Sequence, residues 1–223
     1  MKKICLFILV IYIFFPISTS AKSTKYIGIG VTRATLRSEG GKSEWGKFIG
    51  FGLEYSRPSS LLFAIEAAYT TKKITLENKS WQSDSELHHS GKSIGDITYD
   101  GSFLELATKI GYHIPRLHSH INIKLFVGPT LSLHYRYVSH VKERKHLWYD
   151  EEEGPYEFDY IRCEDEGLIP NISIDGIIGA IISYKTIGVE VHYARSSKER
   201  TCISGLTING KLDSFYILLR YSF

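Results

Sequence analysis

Long apolar runs are missing from this chain once its first 21 residues are passed. No later stretch approaches the roughly 18 consecutive apolar residues that suggest a membrane-crossing helix, so a helical membrane protein is excluded. Proline is scarce, six in 223 residues, while Gly, Tyr and Phe number 19, 15 and 11. That balance favours strands and tight turns over helices. An excess of one charge is missing too. Setting Lys2 and Lys3 aside, 25 of the 27 basic residues stand against 24 acidic ones, which gives no global attraction to nucleic acid. The histidines His88, His89, His118, His120, His134, His140 and His146 make no metal-ligand spacing, and the acidic stretches lack the order of an EF-hand. No metal or cofactor is expected. Gly28-x-Gly30 opens no phosphate loop, because no helix follows it.

What is present begins at the N-terminus. Lys2 and Lys3 precede an apolar run from Ile4 to Ile17, and Ser18-Thr19-Ser20-Ala21 follows. A basic start, an apolar middle and small residues at −3 and −1 mark a secretory signal peptide over residues 1–21. Cys5 precedes the apolar run, so it is not placed as a lipoprotein acceptor. Residues 22–223 are then one exported domain.

Through that domain the hydrophobic period is two. Ile49, Phe51, Leu53 and Tyr55 alternate with Gly50, Gly52 and Glu54; Leu61, Phe63, Ile65, Ala67 and Tyr69 alternate with Ala64 and Glu66. Leu104, Leu106 and Ile110 oppose Glu105 and Lys109, and Ile187, Val189 and Val191 oppose Glu190 and His192. The longest stretch, Ile121 to Tyr137, carries Lys124, His134 and Arg136 on its polar face. Such alternation, with charge on one face only, is a strand pattern. Two segments are weaker: Tyr26 to Arg37, and Ile172 to Tyr184, which is apolar on both faces, so that its facing is left open.

The links sort by length. Ser38–Trp45, Lys72–Gly101, Ser139–Pro170 and Ser196–Lys211 are long; Arg57–Ser60, Ile114–His120 and Lys185–Thr186 are short. Long and short links in strict alternation predict an all-β, closed, antiparallel, eight-stranded up-and-down transmembrane β-barrel, monomeric, with both mature termini on the short-link side. Closure is required because lipid cannot hydrogen-bond an open sheet edge. The alternative is a soluble periplasmic barrel of the lipocalin kind, with apolar residues inside. The final alternation of Phe215, Ile217, Leu219, Tyr221 and Phe223 resembles the C-terminal signature of bacterial outer-membrane barrels, which implies recognition by the barrel-assembly machinery.

Phe103-Leu104-Glu105-Leu106, then Lys109-Ile110-Gly111-Tyr112, then Lys124 to Leu133, resemble the outer-membrane β-barrel domain common in Bacteroidetes, to which PorT-like proteins belong. The general shape resembles OmpA and OmpX barrels. Ala107 departs from the Pro that family often carries there. The resemblance implies a Gram-negative outer membrane and contact with its lipid, and it implies little about activity.

Candidate functional residues follow from the polar face. Glu54, Glu66, Glu105, Lys109, Lys124, Arg136, Glu190, His192 and Arg220 are expected to fill the lumen as an ion-pair network, since an eight-stranded barrel is just wide enough for its own side chains. Cys163 and Cys202 fall in long links on one side, and in an oxidising compartment they suggest a disulfide. The 139–170 link is acidic and aromatic, and with 72–101 it is the expected surface for a surface or envelope protein partner. The expected role is structural or interactive, not enzymatic. The alternatives are a small, porin-like pore or a lipid-modifying enzyme; the His118-Ser119-His120 run lies on the wrong side for the latter.

Overall fold

The computed structural model describes residues 22–37, 41–56, 61–83, 91–118, 121–148, 158–165, 171–197, 199–200 and 210–223. Ten strands run in chain order: β1 Lys22–Leu36, β2 Lys42–Ser56, β3 Leu61–Ser83, β4 Gly91–His118, β5 Ile121–Trp148, β6 Phe158–Asp165, β7 Asn171–Tyr184, β8 Ile187–Ser196, β9 Glu199–Arg200 and β10 Gly210–Ser222. Eight of them, β1-β2-β3-β4-β5-β7-β8-β10, pair in that order, and β1 pairs with β10 to close the ring. Every pairing is antiparallel. No backbone edge is left for lipid to meet around the ring, as spanning with strands requires.

The short links and the chain ends share one end of the barrel. Lys185 turns with φ of 52° between β7 and β8. The Lys25 and Phe223 backbones exchange two hydrogen bonds, of 3.2 and 2.9 Å, which ties the last residue to the first strand. At the other end the strands do not stop together. β3, β4 and β5 run 23, 28 and 28 residues, where about 9–11 tilted residues suffice to cross a bilayer core.

The long links therefore differ from expectation. Of 72–101 only 84–90 lies outside the described strands, and 139–170 is strand as far as Trp148 and again over Phe158–Asp165. The alternation does not cease at Lys72; even-numbered residues of β3 still point inward, and the polarity of the two faces reverses. Ile74, Leu76 and Ile97 turn inward, and with Ala34, Leu36, Phe103 and Leu212 they form a buried apolar cluster. Thr71, Lys73 and Thr75 turn outward. Water replaces lipid on the outside here, so apolar residues turn inward. A bulge between Leu76 and Lys79, with Asn78 at φ of 54°, bends this extension; the Asn78 amide donates to Asp96 Oδ1 at 3.1 Å. β6 continues the sheet beside β5 from Tyr137 onward, where β7 has already parted from it at His134.

The open facing of 172–184 is settled by register. Ile177 pairs with Ala194 and Gly128, which puts Ser173, Asp175, Ile177 and Ile181 inside and Ile174, Ile178 and Ile182 outside.

Candidate functional site

The site has an outer face and a lumen. On the outer face a band of large apolar side chains circles the ring: Ile29, Ile49, Leu106, Val127, Ile178 and Leu219 stand among them, with exposures up to 59%. Tyr55, Tyr112, Tyr184 and Tyr221 edge the band toward the chain ends and Trp45 edges it on the far side, all at least 36% exposed. Aromatic rings with a polar tip belong at such a boundary. In water this much contiguous apolar surface would drive association.

Inside, the pattern is the reverse. Lys109 and Glu190 are wholly buried, and Lys109 Nζ lies 2.6 Å from Glu190 Oε1 and 2.9 Å from Glu66 Oε1. Arg220 joins Glu190 at 2.9 Å to Glu54 at 3.1 Å, and Lys124 pairs with Glu54 from the half-buried end. His192 Nδ1 lies 2.8 Å from Glu190 Oε1, and its ring stacks on Tyr216 at 4.2 Å. A second group forms around Glu105, which accepts from Lys72 at 2.7 Å and from Tyr216 at 3.1 and 3.2 Å. Ser132 bridges Glu105 and Asp175 at 3.5 and 3.1 Å. Burying charges at this cost is tolerable because Glu54, Glu66, Glu105 and Glu190 each meet a base.

This barrel is inside out.

No family model matches the chain, and no curated protein matches it. Among solved structures the chain is similar to Ail, the attachment invasion locus protein of Yersinia pestis, determined in complex with the heparin analogue sucrose octasulfate; identity is 10%, TM-score 0.41, and 92% of this chain and 100% of that one are covered. It is similar to Neisserial surface protein A at 14% identity and TM-score 0.43, over 91% and 99%. It is also similar to the outer membrane enzyme PagL at 12% and 0.44, over 90% and 99%. At these identities and scores, the polarity argument stands on this barrel's own side chains.

Of the residues expected in the lumen, Glu54, Glu66, Glu105, Lys109, Lys124, Glu190, His192 and Arg220 meet there. Arg136 does not. The register shifts between Ser102 and Phe103, which pair with Arg136 and His134, so Tyr135 is an extra residue and the parity of β5 flips beyond it. Arg136 sits opposite outward-facing Ser102 and is exposed. Lys72, Tyr26 and Asp175 are lumen residues that the sequence reading missed. By sequence pattern Lys72 falls in a link, and Asp175 lies in the strand whose facing is open. Tyr26 fills the space over Gly52, where an added Cβ would lie 2.2 Å from the ring, and it donates to Glu66 Oε2 at 2.9 Å under the Arg220 guanidinium, 3.5 Å away. The alternation Ile27-Gly28-Ile29-Gly30 pointed to that face without showing what filled it.

Phe215, Ile217, Leu219, Tyr221 and Phe223 all face outward. The disulfide lies outside the described residues: Cys163 is in β6, opposite Ser139, and Cys202 is not described. The signal segment 1–21 also lies outside them.

The lumen is packed with side chains. Between Glu66, Glu105, Asp175, His192 and Tyr216 there is a cavity of about 10 Å³, room for one water with polar partners on several sides. Phe48, Leu62, Phe126, Ile177, Ile181 and Leu218 fill the remainder. The arrangement holds a barrel rigid.

Proposed function

We propose that the protein is an outer-membrane barrel of a Gram-negative bacterium that serves as a rigid stand for a surface docking sheet. The carrying observation is the length of β3, β4 and β5 beyond the apolar band, with β6 added to their edge. In the upper part of β3, residues 79–83 pair with β4 alone among the described residues, and β6 pairs with β5 alone. Exposed strand edges invite a further strand, and a protein partner of extended backbone fits that chemistry. The mature termini face the periplasm, and the paired lumen charges support a structural, non-conducting role rather than a pore or an enzyme. The described strands within 72–101 and 139–170 then make up the platform.

The test begins with fractionation and gel mobility. Protein in the outer-membrane fraction that migrates faster unboiled than boiled supports the barrel, and release as a soluble species without a shift ends this reading. A photocrosslinker at exposed Glu77 or Ser80 should give discrete protein adducts in whole cells, and one at Lys185 should not. Equal, diffuse labelling from all three would remove the docking role.

A further inference from the structure

The apolar band is not uniformly convex. Centred on β2, β3 and β4, and reaching Ile27 of β1 and Leu131 and Leu133 of β5, it holds a shallow depression of about 680 Å³. Ala67 makes it: in register it lies between Phe51 and Leu106, while Tyr69 lies between Ile49 and Leu104. One small residue among four large exposed ones leaves a shallow, mainly apolar channel between them.

Directly outward of this depression the surface turns basic. Between Glu44 and Phe48 the β2–β3 register shifts by one, so Glu44 and Trp45 both reach the outer surface and Lys47 follows with the parity of Ile49. Lys47 is two residues beyond Ile49, about 7 Å along the strand. Its backbone amide is held by Thr71 Oγ1 at 2.8 Å, which fixes where the side chain starts. Arg33, paired with Trp45, lies 5.7 Å over the indole, and its Nε donates to Ser43 Oγ at 3.2 Å. Lys73 is taken up by Glu44 at 2.9 Å. Among the described residues, Lys47 and Arg33 have no carboxylate partner. Two cations without a carboxylate partner among the described residues therefore stand where hydrocarbon gives way to headgroups, next to an interfacial Trp and above the apolar depression.

We propose that this face of β1–β4 seats one phosphorylated lipid, with an acyl chain along the depression over Ala67 and the headgroup phosphate on Lys47 and Arg33. The proposal rests on the membrane reading above. The occupant follows from charge complementarity: guanidinium and ammonium together match a phosphate, and the apolar channel beneath them matches a chain attached to it.

The probe is dipalmitoyl phosphatidic acid added to the full-length barrel in detergent micelles, with retention read by native mass spectrometry. The wild-type protein should keep one phosphatidic acid through detergent exchange. Arg33→Gln with Lys47→Gln should lower retention by about tenfold, as loss of charge-assisted hydrogen bonds implies. Ala67→Phe, which fills the channel and leaves both cations, should lower it comparably; Ala67→Leu serves if the Phe variant does not fold. Lys185→Gln, at the opposite end, should bind as wild type does. Equal retention by all variants overturns the proposal. So does equal retention of dipalmitoylglycerol, which lacks the phosphate, or complete displacement by inorganic phosphate, which would mean an anion site without an acyl seat. The gel-mobility shift separates the two readings. A shifted barrel without selective lipid sinks only the seat, whereas no shift in the wild-type protein sinks the membrane reading itself.

Discussion

Lys109 on β4 and Glu190 on β8 meet across the lumen at 2.6 Å, 81 residues apart in sequence and both without solvent contact. This ion pair joins opposite walls of the ring, and Glu66 shares the same ammonium.

Replacing Lys109 with Met leaves two buried carboxylates short of a partner. Unfolding in urea, followed by the gel shift, should show a loss of about 3–5 kcal/mol. Adding Glu66→Gln should restore part of that loss, because Glu190 keeps Arg220 and His192. Additive costs in the double variant would show that the groups do not act as one network.

Gly52 exists for Tyr26. A side chain at 52 would drive into the ring, so Gly52→Val should dislodge Tyr26 from both Glu66 and Arg220. Overpacking of this kind costs about 1–3 kcal/mol. A stability equal to wild type would mean that the ring has another place to go.

A lumen plugged by side chains should pass no current. Planar bilayers containing the folded protein should show no conductance steps, and Arg136→Ala should change neither that nor the stability by more than about 0.5 kcal/mol, since Arg136 lies on the surface. Discrete steps in the wild-type protein would restore the pore alternative.

Outside the apolar band, hydrogen bonds from Lys73 and then Thr75 hold the Glu44 carboxyl below its usual range. A lowered native value means stabilisation that is present above the unfolded pKa and lost as pH falls through the native one. The pair is about one-third exposed, so Glu44→Gln should cost less than about 1 kcal/mol at neutral pH. That difference should vanish in acid and in high salt, and a difference that survives both would rule out this ion pair as its source.

Purified mature protein should show no free thiols until reduced, and two afterwards, if Cys163 and Cys202 pair. Equal thiol counts with and without reductant would end the disulfide expectation.

Period-two alternation made most of the ring legible, because the same residue types meet the same two environments on every strand. That pattern put Glu54, Glu66, Lys109 and Arg220 on one common face, and the link lengths, the N-terminal segment and the terminal Phe223 together turned that face inward. Three places escaped. At Ile172–Tyr184 both faces are apolar, since Ile177 and Ile181 join a buried apolar cluster inside the barrel. At Tyr135 an inserted residue reversed the parity, and an insertion leaves no mark in composition. Beyond Lys72 the alternation inverted, and an inverted pattern read against lipid looks like a loop.

Local pattern by itself determined the strand class, the closed ring and the chemical type of each face, because side-chain direction alternates with residue number whatever the partner strand. Only the tertiary structure decided which charges meet, where a bulge turns Arg136 out, and how far the sheet rises above the band. Those depend on register between strands, and register is fixed by contacts such as Lys109 with Glu190 that no local stretch of sequence contains.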